Sequence, residues 1–175
     1  MNYSQIRKMD ISNGLGVRIS MFVSGCPFHC KNCFNQETWD FNNGKKITED
    51  KIKELKEYLN KSYIAGLSLL GGDPTSQNVE GLKTLIELCK YTHSINKNVW
   101  IWSGYTWEEI FSQDNTDEQG QYRMELIRNC DILVDGRYVD AERDLTLKWR
   151  GSKNQRVIDV QKSLNEKRVV LIENE

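Results

Sequence analysis

Charge of one sign is what the chain most obviously lacks: 24 lysines and arginines face 25 aspartates and glutamates in 175 residues, a net charge of -1. That balance excludes a strongly basic nucleic-acid binder and an acidic disordered chain. Long hydrophobic runs are missing too, and none approaches the roughly 20 residues of a membrane span. The opening Met1-Asn2-Tyr3-Ser4-Gln5 has neither the basic start nor the apolar core of a secretory signal. Proline is scarce: Pro27 and Pro74 are the two in the chain, and both fall inside the motifs described below. No repeat, low-complexity tract or linker is present. At roughly 150 residues per domain, these absences predict a single soluble, cytoplasmic domain over residues 1–175, with neither membrane nor nucleic acid as partner.

Cysteine, by contrast, is concentrated. Of five, Cys26, Cys30 and Cys33 lie within eight residues. A secreted disulfide scaffold would spread an even number through a shorter chain, so the cluster points to metal or redox chemistry in a reducing compartment. Cys89 falls on the apolar face of a predicted helix and Cys130 just before a predicted strand, and both read as small buried hydrophobes.

Hydrophobic periodicity gives an alternating α/β chain. Val17, Ile19, Met21 and Val23 alternate with polar or outward residues as in a strand. A helix is predicted over 48–60 with Thr48 as N-cap, then a strand over 67–70. Ser76 is expected to cap the next helix, on which Val79, Leu82, Leu85, Ile86 and Cys89 share a face. A strand over 99–102 follows, then a capping box from Thr106 and Glu109, a helix near 121–129 and a strand over 132–134. Late strands are predicted at 157–160 and 169–172. Such alternation implies right-handed crossovers and a mostly parallel sheet. The cysteine loop, Gly71-Gly72-Asp73-Pro74, Ser103-Gly104-Tyr105 and Asp135-Gly136 each follow a strand's C-terminal end, so all four should meet at one mouth. The charge run over 45–61 reads as a solvated helix face.

Closely spaced thiolates suit an iron–sulfur cluster, and three of them leave one iron of a cubane open to a substrate. The alternative is a structural zinc site, with His29 or a distant cysteine as fourth ligand; no second Cys-x2-4-Cys pair exists to complete it. His29 reads better as an ordinary loop residue. The paired glycines at 71 and 72 let backbone approach a ligand closely, or merely make a tight turn. Ser103 suits a ribose hydroxyl or a ligand carboxylate, and equally a strand-end polar role. Asp135 either orients a ligand or pairs with an arginine, and Arg150, Asn154 and Arg156 either hold a carboxylate, fix their loop or touch a partner. The tryptophans at 100, 102, 107 and 149 read as core or rim.

Cys26-x3-Cys30-x2-Cys33 after a first strand resembles the signature of the radical S-adenosylmethionine enzymes. The wider blocks narrow the likeness: Asp10-Ile11-x2-Gly14-x-Gly16-x-Arg18, Phe22-Val23-Ser24-Gly25-Cys26, Cys33-Phe34-Asn35-Gln36-x2-Trp39, Leu69-x-Gly71-Gly72-Asp73-Pro74, Trp102-Ser103-Gly104-Tyr105, Val134-Asp135-Gly136 and Trp149-Arg150-Gly151-Ser152-x-Asn154-Gln155-Arg156. Over residues 3–156 these resemble the activating proteins of anaerobic (class III) ribonucleoside-triphosphate reductases. The resemblance implies a shortened, open (βα) partial barrel of the radical S-adenosylmethionine type. It implies one 4Fe–4S cluster on Cys26, Cys30 and Cys33, and S-adenosylmethionine held near Asn32, Cys33, Phe34, Gly71, Gly72, Asp73 and Ser103. Many superfamily members have an aromatic residue where Asn32 stands; here the aromatic is Phe34.

The implied chemistry is reductive cleavage of S-adenosylmethionine, with an electron from a donor such as flavodoxin. The 5′-deoxyadenosyl radical would then abstract hydrogen from a glycine of the reductase large subunit. No catalytic side chain beyond the cluster ligands is needed. Two alternatives share the cysteine loop: another glycyl-radical activase or small-molecule radical enzyme of the same superfamily, and a non-enzymatic, zinc-stabilised interaction module.

Overall fold

The computed structural model describes residues 1–172. Seven strands form one sheet in the order β3-β1-β2-β4-β5-β6-β7. Its middle is parallel: β2 (Arg18–Val23), β4 (Gly66–Gly71), β5 (Asn98–Trp102) and β6 (Ile132–Asp135) run the same way. Both flanks are antiparallel, with β1 (Asn2–Asp10) between β2 and the two-residue β3 (Lys45–Lys46), and β7 (Arg156–Asp159) against β6. The expected mostly parallel sheet is therefore parallel only at its centre. A hairpin-like return at each side reverses the chain where no crossover helix intervenes.

The helices α1 (Glu49–Leu59), α2 (Val79–Ser94), α3 (Trp107–Ile110), α4 (Glu118–Arg128) and α5 (Val160–Glu166) follow from caps and apolar stripes. Thr48 caps α1, and the Thr106–Glu109 capping box forms as the spacing predicts. Ser76 does not cap α2: Asn78 does, accepting from Gly81 N, while residues 74–76 form a short 3-10 turn capped by Asp73. Proline right after Asp73 suits the first position of that turn. The late segment over 169–172 reaches the sheet through one isolated bridge, Ile158 to Leu171, rather than as a strand.

Alternation splits the sheet into two unlike faces. Ile19, Met21, Val23, Leu67, Leu69, Val99, Ile101 and Leu133 pack with Leu55, Leu82, Leu85 and Leu126 into the main core. Each fully buried aliphatic there contributes roughly 1.5–3 kcal/mol. The other face carries Phe22, Leu70, Trp102 and Val134, and it walls an open cavity instead of packing under helices. At the N-terminal end of the parallel strands, fully buried Arg18 donates to Ser68 Oγ at 2.7 Å and to the carbonyls of Leu15, Leu67 and Asn98. Burial lowers its pKa to about 10. Among the described residues, no helix is long and apolar enough to cross a membrane.

Candidate functional site

The chain leaves β2 through Gly25 and enters the cysteine loop. Cys26, Cys30 and Cys33 are free thiols, each partly exposed. All three line one cavity of about 470 Å³, together with Gly71, Gly72, Asp73, Ser103, Gly104 and Gly136. The strand-end loops thus meet at one mouth, as their placement after parallel strands requires. Among the described residues, no three His, Cys, Asp or Glu side chains close on a point as ligands of a single metal ion would. The thiols instead share a wall.

Their surroundings suit thiolates bound to a cluster. Asn35 N–H donates to Cys33 Sγ at 3.4 Å. The backbone N–H groups of Phe28 and Tyr138 face the sulfurs of Cys26 and Cys30 and favour their ionised forms. Such N–H···S bonds are among the means by which proteins set cluster potentials. In the thiol state burial dominates: it pushes Cys26 up to about 12 and raises Cys30 as well. Iron binding would therefore release protons that neutral pH leaves in place.

Gly71 and Gly72 are glycines for steric reasons of the backbone. Gly71 sits at φ 100°, and a Cβ there would lie 2.7 Å from Phe22 Cα. At Gly72 a Cβ would lie 2.5 Å from the carbonyl oxygen of Gly25, immediately before the first cysteine. Gly72 N–H donates to Val23 O, and Asp73 N–H to Gly25 O at 2.8 Å. The glycine loop and the cysteine loop are therefore one packed unit.

Asp73 lines the cavity, yet it is fully buried and its carboxylate is engaged locally. Oδ1 accepts from Thr75 N and Oγ1, and Oδ2 from Ser76 Oγ at 2.8 Å. Burial raises its pKa against those bonds. Ser103 Oγ accepts from Tyr105 N and shares a 2.8 Å hydrogen bond with Thr75 Oγ1, tying the β5 end to the same turn. Phe34 lines the cavity; Asn32 does not, and its side chain donates instead to Asp140 Oδ2 at 2.9 Å.

The segment 136–155 between β6 and β7 forms a flap along the cavity. Tyr138 packs at a tilt against Phe34, ring centres 5.1 Å apart, its hydroxyl donates to Asp140, and Trp102 Nε1 donates to the carbonyl of Trp149 at 2.6 Å. The block from 149 to 156 braces this flap. Gln155 accepts from Gly151 N and donates to Gly136 O, and Asn154 donates to Arg137 O. Arg150 lines the cavity and donates to Gln155 O. Arg156 pairs with Asp135 and Glu108. Sequence reasoning missed Phe28, Arg137 and Tyr138, which also line the cavity; nothing in their spacing marks them, because they are aligned by tertiary packing.

An α/β fold whose strand-end loop presents three thiols to an open cavity defines an iron–sulfur protein, and residues 12–158 match the family described as a 4Fe-4S single cluster domain. The relatives narrow this further. The anaerobic ribonucleoside-triphosphate reductase-activating protein of Enterobacteria phage T4 is 39% identical over 160 residues, covering 90% of this chain and 93% of that protein. Those of Vibrio cholerae (41% over 160 residues) and Escherichia coli K12 (37% over 158) each cover 89% of this chain and 96% of the relative. The chain belongs to the family of anaerobic ribonucleoside-triphosphate reductase-activating proteins.

Proposed function

We propose that this protein activates an anaerobic ribonucleoside-triphosphate reductase, as the names of its relatives state for them, and that it does so as a radical S-adenosylmethionine enzyme. Residues 1–175 would act as one such domain in the cytoplasm, with the sheet as a shortened, open (βα) partial barrel. Cys26, Cys30 and Cys33 would hold a 4Fe–4S cluster, leaving one iron to S-adenosylmethionine. When bound, that pair supplies a 5′-deoxyadenosyl radical, made with one electron from a donor such as flavodoxin, which takes hydrogen from a glycine of the reductase large subunit.

The chain's own groups position and shield. Carbonyls of the Gly71–Gly72 turn would accept from the α-ammonium, with Asp73 holding the turn through Thr75 and Ser76. Backbone at Cys33 and Phe34 would border the adenine, while Ser103 fixes the neighbouring strand end and faces the same cavity. Phe22, Leu70, Trp102 and Val134 give an apolar wall that excludes water from a reactive radical. No side-chain base is required, because the cofactors carry the difficult chemistry.

The observation that carries this reading is the shared cavity: three thiols with backbone donors on one wall, the Gly-Gly-Asp turn and Ser103 on the others. Anaerobic reconstitution with iron and sulfide, followed by quantification of methionine and 5′-deoxyadenosine after reduction, tests it. Stoichiometric products support it; a colourless, zinc-loaded protein that forms none would refute it.

A further inference from the structure

Phe28 and Arg137 line the same cavity as the three thiols. Phe28 lies in the cysteine loop, midway between Cys26 and Cys30. Its ring meets Tyr105 edge-on with centres 4.9 Å apart, and a Cβ at Gly104 would lie 2.5 Å from its Cδ2. The ring therefore seats against bare backbone at the end of β5. The guanidinium carbon of Arg137, just past the end of β6, stands 4.5 Å from the centre of the Phe28 ring. A cation thus rests on the aromatic side chain that pins the thiol loop, an attraction set by the ring's negative face.

Arg137 is tethered as well as stacked. Its Nη1 donates to Glu109 Oε1 at 2.9 Å, and its carbonyl accepts from Asn154 Nδ2 at 2.7 Å. One residue back, Gly136 N–H donates to Tyr105 O, joining the two strand-end loops that hold Phe28. The Arg137 side chain is 44% exposed, so water and salt screen its charge only in part. At Cys30 that charge favours the thiolate, against the burial that dominates there. At Cys26 the charge of Asp73 acts the other way. The positive charge is placed at one corner of the thiol wall.

We propose that Arg137, held over Phe28 by Glu109, raises the reduction potential of the cluster bound by Cys26, Cys30 and Cys33. This rests on the functional reading above, in which those thiols hold a 4Fe–4S cluster. Uptake of one electron adds negative charge there, with no bond made or broken, while the one-electron donor is oxidised. A cation fixed beside one ligand stabilises the added charge and eases reduction. Phe28 is the positioning residue, because it fixes the ligand loop against the guanidinium.

The test is a dithionite redox titration of the full-length, reconstituted protein without S-adenosylmethionine, followed by the electron paramagnetic resonance signal of the reduced cluster. Parent, Arg137→Gln, Arg137→Lys and Glu109→Gln are compared at matched iron and sulfide content. Arg137→Gln is expected to lower the reduced-to-oxidised ratio at a fixed potential about threefold, a downward shift of roughly 30 mV for one electron. That shift shrinks in high salt, as a half-exposed charge requires. Arg137→Lys keeps the charge and stays near the parent. Glu109→Gln preserves the capping box, where glutamine also serves, and removes the carboxylate facing Arg137, so its midpoint moves up. Equal midpoints in all four chains overturn the inference. So does a downward shift in both glutamine variants, which marks a loosened loop rather than a lost charge. If Arg137→Gln assembles no cluster, Glu109→Gln decides: an upward shift supports the inference, and an unchanged or lower midpoint overturns it. A parent that assembles no cluster refutes the functional reading and the inference together. A full cluster that cleaves no S-adenosylmethionine refutes the functional reading alone, and the titration still decides the role of Arg137.

Discussion

Arg156 grips Asp135 at two points, Nε to Oδ1 at 3.0 Å and Nη2 to Oδ2 at 2.6 Å, and donates to Glu108 from Nη1 at 3.1 Å and from Nη2 at 2.7 Å. Asp135 is buried at the end of β6 and also accepts from Trp107 N–H at 2.7 Å, so the pair joins β6, β7 and the start of α3. An arginine that the sequence leaves open as a ligand contact is a strut.

Arg156→Ala should therefore cost stability. Removing one partner leaves the Asp135 carboxylate buried with a single donor, a loss of about 3 kcal/mol. Thermal unfolding is expected to shift down, with the KM for S-adenosylmethionine unchanged. An unchanged Tm with a raised KM would assign Arg156 to the ligand instead.

The same strut gives a pH dependence. The hydrogen bond from Arg156 holds the Glu108 carboxyl below its ordinary 4.5, outweighing the opposing effect of partial burial. A depressed folded pKa means stability that is present above pH 4.5 and lost as pH falls through the folded value. The Tm difference between parent and Glu108→Gln should be constant from pH 5 to 7 and shrink below about pH 4.5. A difference that grows on acidification would contradict the sign.

Gly72→Ala should impair cluster assembly itself. The added Cβ meets Gly25 O at 2.5 Å and Thr38 O at 2.9 Å, both backbone atoms flanking the cysteine loop. From sequence the expectation is narrower, that a side chain here blocks S-adenosylmethionine while the cluster still forms. Iron content after reconstitution separates the two: a loss of iron follows from the packing, and full iron with weakened S-adenosylmethionine binding would restore the narrower account.

Native-state alkylation of the apo protein should label Cys26, Cys30 and Cys33 and spare Cys89 and Cys130. The last two are fully buried in the main core, out of the reagent's reach, whereas the first three are partly exposed. Mass spectrometry reads this out, and reconstitution should then protect the first three. Cys130→Ala is expected to retain full iron; cluster loss there would overturn the ligand assignment.

The site was legible where local chemistry sets it: three thiols at fixed spacing, glycines at a strand end, and the Thr106–Glu109 box are readable from neighbours in sequence. The parallel core strands were legible because their inward positions are continuously apolar. β1 was not, since Ser4, Gln5, Arg7 and Lys8 hide its pattern on a flank with one solvated side. Ser76 has a cap's chemistry but does not cap α2, because Pro74 starts a separate 3-10 turn before Asn78 takes over. The flap contacts of Asn32 and Tyr138 join residues more than a hundred positions apart, and no local pattern reports them.

The central claim is tested most directly by electron paramagnetic resonance. Reconstituted protein, reductant and S-adenosylmethionine are mixed with an anaerobic ribonucleotide reductase, and separately with a pyruvate formate-lyase. The account predicts a glycyl doublet, split by the remaining α-hydrogen, on the reductase and none on the lyase. A doublet on the lyase alone, or no doublet on either despite a full cluster, would contradict it.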